Sequence, residues 1–220
     1  MGIMAVRRAS DDRSTRDRIL VVAERLFAEK GIGFVSVRDI TTEARANTAA
    51  ISYHFGSKDG LLEAIVVERA AQLGKRRNEL LDAIEASPEP QLRDLVAALV
   101  VPIAELAADH DGGGRHWIRV KADLRGKPEM TSLLESAFEP YTRRYLDVLE
   151  RVTPQLEPDV RVARFAVAKE AVELVFANDQ LPEWVARQVE FRAERLADIV
   201  IDFVTAGFAS ALSTRAMPAT

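Results

Sequence analysis

Cysteine is absent from the 220 residues. That excludes disulfides, thiolate nucleophiles and cysteine-based metal sites together. Histidine is scarce, at three, and aromatic residues make up only 6% of the chain. Long apolar runs are missing too. The longest candidates, such as residues 95–106, carry a proline or an acidic residue and stay well short of the roughly 20 residues a membrane span needs. The first residues, MGIMAVRRASDDRS, hold no apolar core long enough for a secretion signal, and a cytoplasmic location is expected. Strand-like alternation is almost absent. What is present, 48% apolar and 29% charged residues, suffices for a core and a solvated surface. An all-α fold of about nine helices without a sheet is predicted.

Charge is unevenly placed. Residues 1–60 carry ten Lys/Arg against eight Asp/Glu, a net of +2, which leaves −6 for the remainder of a chain whose total is −4. A positive end on an acidic body suits a protein that presents one end to phosphate.

Helical periodicity begins with Ile19, Val22, Ala23, Leu26 and Phe27, an apolar face at helical spacing. Thr15 is a plausible cap for this helix, and Gly31 and Gly33 end it. Ser36 with Asp39 three residues on has the form of a capping box. Asn47 and Ser57 are suited to cap the next two helices, the second of which runs from Lys58 toward Ala86. Leu92, Leu95, Val96, Leu99, Ile103 and Leu106 form a further stripe, with Pro102 as a kink site. A short segment surrounds Trp117. Pro128 opens a longer helix with Pro140 inside it, and helical patterns near 158–178 and 182–211 close the chain.

The most informative stretch is SVRDITTEARANTAAISYHFGSKDGLL, residues 36–62. Two short helices around a tight turn lead directly into a third. The middle one spends its outward positions on Thr48, Ser52, Tyr53 and His54, where a buried helix would place apolar residues. Short polar and aromatic hydrogen-bonding groups suit a helix lying in a DNA groove. Ala44, Ala46, Ile51 and Phe55 supply an anchoring inner face. The helix starts at Ser36, Asn47 and Ser57 offer free backbone N–H groups to phosphate, and Lys58 adds a mobile charge beside the last.

Residues 15–62 resemble the DNA-binding domain of the TetR/AcrR transcriptional regulators. The resemblance rests on Ile19-Leu20, Ala23, Leu26-Phe27, Gly31, Val37, Ile40, Ala44 and the run AAISYHFGSKDGLL. It implies an all-helical homodimer that binds a palindromic DNA operator, with a small-molecule effector held by the larger carboxy-terminal part, and a repressor that the effector releases. By position, Ser36, Arg38, Thr48, Tyr53, His54 and Lys58 match residues that commonly touch DNA there. Two positions depart from the pattern. Arg45 stands where the family usually has glycine, so a side chain is expected at positive φ. Ser52 stands where the family often has tyrosine, which removes one aromatic phosphate contact.

From Gly114 to Asn178 the chain is similar to the fatty-acid-responsive PsrA-type branch of that family. The similarity lies in the Arg-plus-aromatic opening of GRHWIRVKADLRGKPEM, the Phe138-Glu139-Pro140 step and the loop at Pro154–Leu156. It implies an apolar effector such as a fatty acid or its coenzyme A ester. Leu99, Ile103, Trp117, Leu134, Phe138, Tyr141 and Phe165 are the candidate pocket lining, although such residues at helical spacing also build cores. Val160, Phe165, Ala168, Val172, Val175 and Phe176 form one stripe near the end of the chain. Val185, Val189, Leu196, Ile199, Val200, Phe203 and Val204 form another. Together they offer more apolar area than one helix pair needs, and a homodimer through the last two helices is expected.

No metal, cofactor or enzymatic activity is expected. Asp109, His110, Asp111 and His116 surround a run of glycines without a ligand spacing typical of a helix. The glycines follow no strand and precede no GK[ST]. Two other functions remain open: a helical lipid or drug carrier without a DNA role, and an all-α enzyme using the 109–116 loop. The chain divides into a flexible basic arm at 1–14, a helix-turn-helix head at 15–60, an effector and dimerisation domain at 61–211, and a flexible tail at 212–220.

Overall fold

The computed structural model describes residues 2–109, 113–124, 127–177 and 193–211. Among these residues are nine α-helices, one 3-10 turn and no strand. The first three helices, α1 (Gly2–Lys30), α2 (Val37–Glu43) and α3 (Thr48–Phe55), build the head, together with the opening of α4 (Lys58–Glu85). The body contains the rest of α4 with α5 (Leu92–Ala108), α6 (Gly114–Leu124), α7 (Pro128–Val152), α8 (Pro158–Ala177) and α9 (Ala193–Ala209). No helix among the described residues is long and apolar enough to cross a membrane.

One boundary differs from expectation, and another falls partly outside the described residues. Helix α1 begins at Gly2, so Thr15 does not cap it, and residues 2–14 continue the helix where a flexible arm was expected. After Gly2 this stretch contains neither glycine nor proline and several good helix formers. At the other end, the pattern expected from 182 falls partly outside the described residues, as do Val185, Val189 and the tail at 212–220, and α9 covers its second half.

In the head, Ile19, Ala23, Leu26 and Phe27 of α1 bury against Ile40, Ala44, Ile51 and Leu61. These are the apolar positions of the amphipathic pattern. In the body, α5 is the central helix, touching α4, α6, α7, α8 and α9. Leu95, Val96, Ala98, Leu99, Val100, Pro102 and Ile103 are all buried. A helix apolar on every side belongs inside a bundle. Tyr145 of α7 ties to it, donating its buried hydroxyl to the Leu95 carbonyl at 3.0 Å. The turn from α7 to α8 is fastened by Arg161, whose guanidinium donates to the Leu156 carbonyl at 2.9 Å and to Glu150 at 3.0 Å.

The stripe on α8 proposed as a partner surface faces inward instead. Phe165, Ala168, Val172 and Phe176 are core residues. The exposed apolar residues are Val167 and Leu174 on the opposite side and Val162 beside the inward face, with Ile199 and Phe203 of α9. Helix α8 is apolar on two faces, so its periodicity could not tell which face the body covers.

Helices α4 and α7 approach closely at Gly74. A β-carbon there would lie 2.1 Å from Cζ of Tyr141, so the ring occupies space that any side chain at 74 would need. Gly74→Ala is therefore expected to destabilise the protein by about 1–3 kcal/mol, the usual cost of overpacking. Combined with Tyr141→Ala, the glycine change should cost much less, a coupling that urea unfolding of the four proteins of the cycle measures. Additive costs would contradict this packing.

Candidate nucleic-acid interface and effector cleft

Three helix starts in the head are capped as their sequences predict. Ser36 and Asp39 form a complete capping box, with the Ser36 hydroxyl accepting from the Asp39 N–H at 3.2 Å and the Ser36 N–H donating to the Asp39 carboxylate at 2.9 Å. The Ser36 hydroxyl also donates to that carboxylate at 2.6 Å and holds its pKa below the usual range. Asn47 accepts from Ala49 and Ser57 from Gly60, each at 3.0 Å. Helix α4 starts tight against the end of α3. A β-carbon at residue 60 would meet the Phe55 carbonyl oxygen at 2.0 Å, which fixes glycine there.

The turn between α2 and α3 sets the angle of α3. The Ala46 N–H donates to the Thr41 carbonyl at 2.9 Å and the Arg45 N–H to the Thr42 carbonyl at 3.3 Å. This is the bond pair of a Schellman motif. It requires a left-handed residue after the cap, and that residue is Arg45, at φ 50°. Arg45 is the single non-glycine residue with positive φ among the described residues.

Helix α3 is anchored on one side and open on the other. Ile51 is 1% exposed, whereas Tyr53 is 76% exposed. Thr48, Ala49 and Ser52 share the outer face with Tyr53, and Ser36, Arg38 and Arg45 are exposed on and around α2. His54 is half-buried, its ring 4.9 Å from that of Tyr53 in an edge-on arrangement. Behind the helix, Arg16 of α1 lies 5.5 Å from the Phe55 ring. The structure thus leaves Ser36, Arg38, Thr48, Ser52 and Tyr53 exposed on and around α2 and α3 and His54 half-buried beside Tyr53, whereas Lys58 is tied to the turn after α1.

Lys58 is not a mobile charge. Its ammonium donates to the Ile32 carbonyl at 2.6 Å and lies 5.7 Å from the Phe27 ring. The N–H of the same Ile32 donates to Asp123 of α6 at 3.4 Å. The turn after α1 is therefore held from two sides, by α4 through its carbonyl and by α6 through its N–H. A second head-to-body tie is the buried pair of Glu24 on α1 and Arg69 on α4, two parallel bonds of 2.8 Å. Burial raises the Glu24 pKa, and the hydrogen bonds and charge of Arg69 oppose that shift.

In the body, a cleft of about 520 Å³ opens between α6, α7 and α8, lined by Leu134, Phe138, Thr131, Lys121, Lys169 and Glu173 among others. Of the seven expected lining residues, Leu134 and Phe138 line it. Ile103 and Trp117 border a small void that shares Lys121 and Glu173 with it. The other three lie elsewhere: Leu99 is buried in α5, Tyr141 fills the space over Gly74, and Phe165 stacks on Tyr145 with ring centroids 5.2 Å apart. Residues that the periodicity did not single out supply the polar part. The Lys121 ammonium donates to Glu173 at 2.7 Å and sits 4.4 Å from the Phe138 ring centroid. Burial pushes the Lys121 pKa down to about 8. His110 and Asp111 of the 109–116 loop lie outside the described residues. Asp109 accepts from the N–H of Gly114 at the start of α6, and burial lowers the pKa of His116.

Comparison with known proteins bears on both parts. A family model described as bacterial regulatory proteins, tetR family, matches residues 19–65. A second, described as tetracyclin repressor-like, C-terminal domain, matches residues 97–207. The chain is 47% identical over 55 residues to the probable HTH-type transcriptional regulator YttP of Bacillus subtilis, covering 25% of this chain and 27% of that one. It is 38% identical over 91 residues to the HTH-type transcriptional repressor NicS of Pseudomonas putida, covering 41% and 42%. These matches span less than half the length of the curated relatives. Among solved structures, the transcriptional regulator FadR from Bacillus subtilis in complex with stearoyl-CoA aligns with a TM-score of 0.59 at 19% identity, over 86% of this chain and 97% of that one. That likeness is one of fold.

Arg45 gives a direct test of the turn. Relief of left-handed strain is worth about 1–2 kcal/mol, and the added freedom of glycine in the unfolded chain offsets about 0.4–1 kcal/mol of it. Arg45→Gly is expected to stabilise the protein by about 1 kcal/mol, read as a raised denaturation midpoint. An unchanged or lowered midpoint would contradict the assignment of strain to this residue.

Proposed function

The chain belongs to the TetR family of bacterial regulatory proteins, and from that premise we propose that it is a one-component transcriptional regulator acting as a repressor in the cytoplasm. Two heads of a homodimer dock on the two halves of a palindromic operator, and an apolar or amphipathic small molecule in the α6–α7–α8 cleft releases them. The observation that carries this reading is the outer face of α3. Thr48, Ser52 and Tyr53 are turned to solvent on a helix whose other side is anchored by a buried Ile51. Such a helix can enter the major groove, while the capped helix starts and Arg38 hold the phosphate backbone. Lys58 then contributes by fixing the turn at Ile32, and any phosphate contact it makes is secondary to that role.

The dimer is supported by Val167, Phe203 and their neighbours, which line an apolar groove of about 360 Å³ between α8 and α9. A second copy laying the same pair of helices across it would bury this surface by two-fold symmetry. Release is supported by the position of α6. Residues two apart on a helix point to nearly opposite sides of it. Lys121 faces the cleft while Asp123 reaches the head at Ile32. A ligand that favours a different seat for α6 would thereby favour a different head position. Moving the population from 1:99 to 99:1 takes about 5.5 kcal/mol of differential affinity, within the range of a largely buried ligand. A fatty acid or its coenzyme A ester is the effector class proposed, in keeping with the stearoyl-CoA bound by the FadR structure of similar fold.

Selection of bound duplexes from a random pool at fixed, near-physiological salt tests the reading. Recovery of a palindrome with half-sites about one helical turn apart is expected. Tyr53→Ala should then weaken binding by about 1–3 kcal/mol, unevenly across operator variants. Recovery of nothing above non-specific background from lipid-extracted protein would favour a carrier instead.

A further inference from the structure

Three charged side chains from three helices share the interior of the body: Arg77 of α4, Lys121 of α6 and Glu173 of α8. Arg77 and Glu173 are 8% and 6% exposed, and the Lys121 side chain is 11% exposed. Lys121 and Glu173 are joined at 2.7 Å and answer one another. Arg77 is left over. Its Nε and Nη2 are buried without a hydrogen-bond partner among the described residues, although it lies within electrostatic reach of both Glu173 and Lys121. The nearby Tyr145 hydroxyl donates to the Leu95 carbonyl and accepts from neither of these two guanidinium nitrogens. This cluster therefore carries two buried cations and one buried anion, with Lys169 at its edge 3.6 Å from Glu173, and a buried guanidinium with unmade bonds is a costly thing to keep.

The cleft reaches this cluster. Lys121 and Glu173 form part of its wall, and the aromatic ring of Phe138 and the side chain of Leu134 line it beside them. Its remaining charged residues are Glu135, Glu139, Lys169 and Glu170. Glu139 pairs with Arg143, and Lys169 pairs with Glu170 and, at 3.6 Å, with Glu173 as well. Glu135, Glu139 and Glu170 stand toward water, where charge is screened, so the uncompensated charge of the buried cluster decides what binds there.

We propose that the cleft takes a free organic carboxylate with an apolar body, whose carboxylate replaces Glu173 on Lys121 while Glu173 turns to the open donors of Arg77. The exchange ends with two cations facing two anions, each paired, and it rests on the reading of this cleft as the effector site. It separates a free acid from its coenzyme A ester, because a neutral thioester brings no charge to Lys121. The apolar body lies along Leu134 and Phe138, in a volume within the range of about 300–1,000 Å³ common to small-molecule sites. Arg77 need not touch the ligand. It is a positioning residue that receives the displaced carboxylate.

Calorimetry on the full chain without DNA tests this. The probes are straight-chain carboxylates from hexanoate to dodecanoate and phenylacetate, each beside the matching alcohol, with decanoyl-CoA as the thioester. At least one carboxylate should bind about tenfold or more tightly than its alcohol, a difference the size of one good charge-assisted bond. Lys121→Met should abolish that preference, and Arg77→Met should weaken the carboxylate about tenfold with the alcohol unchanged. Glu173→Gln, which removes the internal competitor and leaves the shape intact, should tighten the carboxylate by several-fold. If either methionine variant fails to fold, as circular dichroism would show, the glutamine variant still decides. No carboxylate exceeding its alcohol, or Glu173→Gln leaving the carboxylate unchanged or weaker, would overturn the proposal. A carboxylate that binds with this charge pattern but leaves operator binding untouched supports the site and counts against the regulator.

Discussion

A charge taken out of water must be answered by another charge or by several hydrogen bonds, and removing one partner of a buried pair costs about 3–5 kcal/mol. In this chain such pairs stand where separate parts meet. Glu24 with Arg69 joins α1 of the head to α4. Lys121 with Glu173 joins α6 to α8 across the wall of the cleft. Interdigitated apolar side chains already resist sliding, and a buried charge pair adds direction to that constraint. A buried pair with bonds of 2.8 Å or less admits a few discrete arrangements, and discrete arrangements are what a two-state protein needs.

Helix α6 lies between the two functions. It packs on α1 of the head and on α5 and α8 of the body. Its Lys121 belongs to the cleft, and its Asp123 holds the N–H of Ile32. Lys58 grips the carbonyl of that same residue from α4. A shift of α6 is thus felt at the turn that ends α1 and precedes α2. The coupling proposed here uses this chain of contacts and needs no change in the core of the head.

Much of the head was legible in the sequence because its determinants are local. Ser36 with Asp39, Asn47 and Ser57 cap within three residues of themselves, and the strained Arg45 follows from the turn that surrounds it. The tie of Lys58 is not legible there, because its partner is a backbone carbonyl 26 positions away. The cleft was only half legible. Leu134 and Phe138 were found by apolar spacing, but spacing marks Leu99 and Phe165 just as strongly, and these are core. The signal missed was the exception to the pattern. Arg77, Lys121 and Glu173 each interrupt an otherwise apolar helix face, and a charge in such a place calls for a partner. On α8 the two apolar faces left the choice between core and partner surface to tertiary structure.

Ligand and operator, on the proposed function, oppose one another through one protein, and thermodynamic linkage makes that opposition directly measurable. Operator affinity should be measured with and without saturating decanoate, and decanoate affinity with and without the operator duplex. Each should weaken the other by the same factor, at least about tenfold, in the range of ordinary allosteric coupling. A factor of one in both directions, with both ligands bound at once, would contradict it.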